Sequence, residues 1–257
     1  MIPTIPWYIT LISLTTNVVI AVAVWALLSS ATGRSGLAPA GQRKVRIGTA
    51  GFLAAWLGAA LLLAPAPETL LLQDPFALTP LIPVFILGPV SVALLAVGLS
   101  PALRRTIASA PLPAIIGVQL YRAIGVVFVV LLAQGQLPAH FALPAGWGDI
   151  AVGLSAPVVA LALARGLWGG RTLAAGWNVF GLADLVVAVG MGSGFLAPFL
   201  SPELGTRVAP ASAMGVFPLI LVPMFAVPMS VLLHILALGR LSQESKLDWT
   251  PVPRALP

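Results

Sequence analysis

Cysteine is absent from this 257-residue sequence, which excludes disulfides, thiolate catalysis and Cys-ligated zinc or iron–sulfur centres. Charge is nearly as scarce. Charged residues make up 8% of the chain, against about 25% in soluble domains, so a water-facing surface around an oily core is excluded. The lysines are Lys44 and Lys246 and the histidines His140 and His234. Neither lysine lies in an apolar run, which excludes a retinal Schiff base inside a span. The histidines fall near opposite ends of the apolar runs, too far apart to ligate one haem. With scattered carboxylates they do not supply the three protein ligands of a catalytic zinc. No GxxxxGKS/T phosphate loop and no G-x-S-x-G elbow occurs, so neither nucleotide hydrolysis nor a serine hydrolase is signalled. The sequence points to no catalytic residue, no metal and no cofactor.

What is abundant is apolar length. Hydrophobic residues make up 59% of the chain and the mean hydropathy is +1.05. Several runs exceed the roughly 18–20 residues that cross about 30 Å of hydrocarbon. The reading is all-α: a polytopic membrane helical bundle of seven transmembrane helices, at about 6–30, 47–64, 78–99, 113–134, 147–164, 172–196 and 214–238. These form one membrane domain over 1–240, followed by a polar cytoplasmic tail over 241–257. The first run lacks a basic leader and a small-residue cleavage site, so it reads as a span rather than a removed signal peptide. Pro80, Pro83 and Pro89 are expected to bend the third span, and Pro218, Pro223 and Pro228 the seventh. Membrane helices tolerate such residues when neighbours satisfy the freed carbonyls.

The net charge of +6 is not a nucleic-acid footprint, because the cations lie between spans rather than on one face. Seven spans place Arg34, Arg43, Lys44 and Arg46, then Arg104 and Arg105, then Arg165 and Arg171, and finally Arg240, Lys246 and Arg254 on one side. The other side receives Arg207. That asymmetry predicts the N-terminus outside and the C-terminus in the cytoplasm. The Ala/Gly/Arg-biased composition and compact loops suggest a bacterial cytoplasmic (inner) membrane, with membrane lipids and a small-molecule ligand as the expected partners and no nucleic acid.

Arg122 is the remaining cation, and it lies within the fourth span. A charge at the bilayer centre costs roughly 2.5–3.5 kcal/mol on insertion scales, so it needs a partner and marks a candidate site. At 1.5 Å per residue, Arg122 lies roughly 13 Å and Asp184 roughly 18 Å from the cytoplasmic end of their spans. Asn17 sits midway down the first span, so the three share a central layer and an Arg122–Asp184 ion pair is expected. Gln119, Asn178 and His234 form a second layer, roughly 7–9 Å from the same end, and would line an entry path. Gln136, His140 and Asp149 form an outer group. By the expected start of the fifth span, Asp149 is too far out to meet Arg122 unless 135–147 is a re-entrant segment. The Gly-rich run Gly181–Gly194 reads as close helix packing.

Three functions are open. One is a small permease or binder of a small anionic or zwitterionic compound, with Arg122 holding its anionic group. Another is an intramembrane enzyme acting on a lipid-like substrate with Asp184 or Asp149 as acid or base. In the third, an accessory or structural subunit, the Arg122–Asp184 pair only locks two helices.

Overall fold

The computed structural model describes residues 5–65, 82–193, 195–196 and 211–248. Expectations for Pro80, Arg207 and Arg254 lie outside these residues. The architecture is all-helical, with no strand among the described residues. The helices are α1 (Trp7–Thr32), α2 (Pro39–Leu63), α3 (Ile82–Leu99), α4 (Pro101–Ser109), α5 (Leu112–Val118), α6 (Val126–Ala133), α7 (Ala139–Ala164), α8 (Gly170–Gly192) and α9 (Val227–Asp248). A 3-10 stretch, Gln119–Gly125, joins α5 to α6, and a π-helical turn, Val222–Ala226, leads into α9. Six helical segments are long and apolar enough to cross a membrane. A seventh results if α3 counts together with α4, which turns away from it by 100° after Ser100.

The burial pattern is that of a bundle in lipid. Apolar side chains such as Trp7, Leu62, Val84, Val158 and Val186 stand on the outside, while Arg122, Gln119, Asn178, Ser230 and His234 are buried inside. In water that distribution would be unfavourable, because exposed apolar area is costly and buried polar groups must be paired. In hydrocarbon only the pairing requirement remains.

α7 is the central helix, packed along α5, the 3-10 stretch, α6 and α8. Glycine makes this closeness feasible. A Cβ at Gly153 would overlap the backbone nitrogen of Ala123, and one at Gly146 would lie 3.2 Å from the Gly125 carbonyl. Small residues at helix interfaces let backbones approach in this way. Gly146, Asp149 and Gly153 recur at helical spacing, so one stripe of α7 carries both the close-approach glycines and a carboxylate.

Several expected boundaries move. α2 begins at Pro39, so Arg43, Lys44 and Arg46 lie on its first turns rather than in a loop. α9 runs on to Asp248, so the start of the expected tail is helical. The largest correction is α7, which begins at Ala139 rather than near 147. His140 stands in its first turn, so residues 139–147 are neither a surface loop nor a re-entrant hairpin. The prolines of LPAHFALPAGW do not mark a loop here: Pro138 precedes the helix and Pro144 is absorbed within it.

Candidate functional site

Arg122 is fully buried and three helices converge on its guanidinium. Nε donates to Asp149 Oδ1 on α7 at 2.6 Å, and Nη2 donates to Asp184 Oδ2 on α8. Nη1 donates to the Gly181 carbonyl at 3.3 Å and to His234 Nε2 on α9 at 3.1 Å. The expected Arg122–Asp184 pair is present. The expected separation of Asp149 is overturned: with α7 starting at Ala139, Asp149 lies roughly 15 Å into its helix, level with Arg122.

The 3-10 winding sets the orientation. At 3.0 residues per turn, side chains three apart eclipse one another. Gln119, Arg122 and Gly125 therefore share one edge, and they are the buried residues of that stretch. Gly125 leaves room for α7 at Asp149, Arg122 points into the cluster, and Gln119 extends it along α9.

His234 links the two expected layers. An arginine has no acceptor, so Nη1 is the donor and His234 Nε2 must accept. Its proton is then on Nδ1, which donates to Asn178 Oδ1 at 2.8 Å, while Asn178 Nδ2 donates to the Ala174 carbonyl at 2.7 Å. His234 is a neutral imidazole held at both ends. Gln119 Nε2 donates to the Ser230 carbonyl at 3.2 Å and its Oε1 accepts from Ser230 Oγ at 3.1 Å. Instead of an open path lined by Gln119, Asn178 and His234, the structure has a sealed continuation of the Arg122 cluster, each of the three being at most 1% exposed.

Glycines shape this cluster too. A Cβ at Gly148 would overlap the Asp184 carboxylate, and one at Gly181 would overlap the His234 ring and lie 3.3 Å from Arg122 Nη1. The expected packing role of the Gly181 region thus takes a specific form: Gly181 makes space for an imidazole and a guanidinium.

Tyr121, which the sequence reading passed over, bonds Ser230 Oγ and donates to the Ala226 carbonyl at 3.0 Å. A polar aromatic next to a buried arginine was the available signal. Nearby, Pro228 has no N–H to offer the Met224 carbonyl, and Trp56 Nε1 donates to it at 2.9 Å. A neighbouring helix thus satisfies a proline-freed carbonyl, as membrane helices require.

One cleft reaches the cluster, with free space of ≈ 50 Å³. Asn17, Tyr121, Arg122, Asp149 and Ser230 are among its walls, and α1 closes one side with Ser13 and Thr16. Asn17 Nδ2 donates to the Ser13 carbonyl at 2.8 Å, but its buried Oδ1 has no partner among the described residues. Asp149 is 17% exposed against 7% for Asp184, so it is the carboxylate nearer to open space. Gln136 and His140 remain at the far end of α6 and α7, outside this cluster. Each keeps a buried atom without a partner among the described residues, Gln136 Oε1 and His140 Nε2. Among the described residues no group of three or more His, Asp or Glu could hold a metal ion.

No curated protein and no solved structure matches the chain. A family model does, over residues 79–242. That range holds Gln119, Arg122, Asp149, Asn178, Asp184 and His234, with Asn17 outside it. Since it covers well over half of the sequence, the chain belongs to the family described as Domain of unknown function (DUF8737).

Proposed function

We propose that the chain is a seven-span protein of a bacterial cytoplasmic membrane, N-terminus outside and C-terminus in the cytoplasm. In this reading it binds a small solute at Asp149 and works as a small permease. The supporting count takes α3 with α4 as one span, and the cation asymmetry supports the orientation. Because the chain has no cysteine, single Cys residues can be introduced without removing any others. Arg43→Cys and Arg165→Cys should label from the cytoplasm and Gln134→Cys from outside; the reverse would sink the orientation.

Of the two ligand classes considered, the zwitterion fits better than the pure anion. Arg122 has each of its three nitrogens donating to protein groups, so an anion would have to displace a carboxylate. Among the described residues the unmet valence beside the cleft is an acceptor: buried Asn17 Oδ1, on a residue that lines the cleft together with Asp149. This observation carries the reading. A ligand entering amine-first meets the Asp149 carboxylate, a small rotation of the Asn17 amide would bring its free acceptor to the same amine, and the ligand's size is set by space for a few water molecules.

Native mass spectrometry of gently solubilised protein tests it. A stoichiometric small mass on the wild type, lost from Asp149→Asn and from Asn17→Leu while both stay folded, is the expected result. A wild type with no bound mass, whose Arg122→Gln variant only melts earlier, would leave the accessory-subunit reading in its place.

A further inference from the structure

A second cavity lies away from the Arg122 cluster, between the ends of α1, α2, α3, α4 and α9 where the cations gather. Its free space is ≈ 450 Å³, within the roughly 300–1,000 Å³ usual for small-molecule sites. The 100° turn from α3 into α4 gives it a concave wall. Gly48 and Phe52 from α2, Val97 from α3, Leu103 from α4 and Leu232 from α9 contribute to an almost wholly apolar lining. Lys44 is the one charged residue in that lining.

Lys44 differs from Arg34, Arg46, Arg104 and Arg240. Arg34 donates to the Ser109 carbonyl, Arg46 to Thr32 Oγ1, Arg104 to the Gly98 carbonyl, and Arg240 to the carbonyls of Ile107 and Ala110. Those guanidiniums tie helix ends together. Lys44 is exposed and has no hydrogen-bond or ion-pair partner among the described residues. It stands one helical turn from Gly48 and two from Phe52, so α2 leads directly from an unpaired ammonium into an apolar trough.

We propose that this groove binds an anionic phospholipid, with one acyl chain along the trough and the headgroup phosphate at Lys44. The occupant follows from the charge arrangement: an apolar volume whose one charged lining residue is an ammonium at its edge matches an amphiphile with an anionic end. Basic pockets between membrane helices are suited to such headgroups.

Gly48 supplies the control, because a Cβ there meets nothing within 4 Å. Gly48→Phe therefore starts from an open Cβ position and carries its ring into the groove that Gly48 lines. The protein would be exchanged into mixed micelles holding phosphatidylglycerol and phosphatidylcholine with the same chains, and retained lipid counted by native mass spectrometry. The expected result is one retained lipid with a roughly fivefold preference for phosphatidylglycerol, as about 1 kcal/mol per juxtamembrane lysine implies. Lys44→Gln should keep the lipid and lose the preference, and Gly48→Phe should lose the lipid at an unchanged melting temperature. Equal retention of both lipids by the wild type, or undiminished retention by Gly48→Phe, would overturn the proposal. So would a wild-type dimer that Gly48→Phe converts to a monomer, which would assign the groove to a second copy.

Discussion

Arg122 Nη1 and His234 Nε2 lie 3.1 Å apart, and this bond decides where the histidine carries its proton. Because arginine can only donate, His234 holds its hydrogen on Nδ1 and passes it toward Asn178. Nitrogen-15 NMR of the labelled imidazole should report the neutral Nδ1–H form. A spectrum showing the Nε2–H form would mean that Arg122 does not face His234 in the protein. His234→Phe keeps the volume but strands the Arg122 donor and the Asn178 acceptor, so it should destabilise by about 2–5 kcal/mol.

The two carboxylates are expected to behave unequally. Removing one partner of a buried charge pair costs about 3–5 kcal/mol. Asp184→Asn should approach that range, and Asp149→Asn should fall below it because Asp149 is the more exposed of the two. Combining both changes with Arg122→Met removes the buried charges together. That triple variant should melt higher than the sum of the single effects suggests, since groups in one network are not additive. Strict additivity in the melting curves would count against a shared network.

Gly153 should admit no side chain. A Cβ there meets the Arg122–Ala123 backbone, so relief requires a helix to move rather than a rotamer to change. Gly153→Ala is expected to cost about 1–3 kcal/mol, as overpacking usually does. Gly176→Ala, with nothing within 4 Å of the added carbon, should be neutral or slightly stabilising in the same assay.

Trp56 and Pro228 make a testable pair. Trp56→Phe leaves the Met224 carbonyl without its donor and should cost about 1–3 kcal/mol. Adding Pro228→Ala restores a backbone N–H one turn below that carbonyl. A double-mutant cycle in the melting curves should show the second change offsetting part of the first. Simple addition would indicate that the indole bond contributes little.

How far the sequence could be read depended on what each signal measures. Apolar length located the long helices, though not all of their ends, because hydrocarbon thickness fixes the number of residues needed. The rarity of intramembrane charge singled out Arg122 and Asp184 for the same reason. Asp149 was misplaced because proline and glycine between 135 and 148 look like a loop in water, whereas within a bundle neighbouring helices can hold them in a helix. His234 and Asn178 were expected in a layer apart from Arg122, so the hydrogen bonds that join them to it were not foreseen. Depth along straight α-helices does not foresee a stretch that rises faster. Nor do glycine positions reveal in advance which neighbour each one admits: Gly148 and Gly181 acquired meaning only beside Asp184 and His234.

The Gln119–Gly125 stretch has a mechanical consequence. A 3-10 helix rises about 2.0 Å and turns about 120° per residue, against 1.5 Å and about 100° for an α-helix. Rewinding these seven residues as α-helix would shorten the span by roughly 3.5 Å and twist its halves by roughly 140° against each other. Gln119, Arg122 and Gly125 would then fan apart instead of facing one seam. The middle of this helix is thus a screw thread, held in its extended pitch by the salt bridges of Arg122 and by the glycines that seat α7 against it.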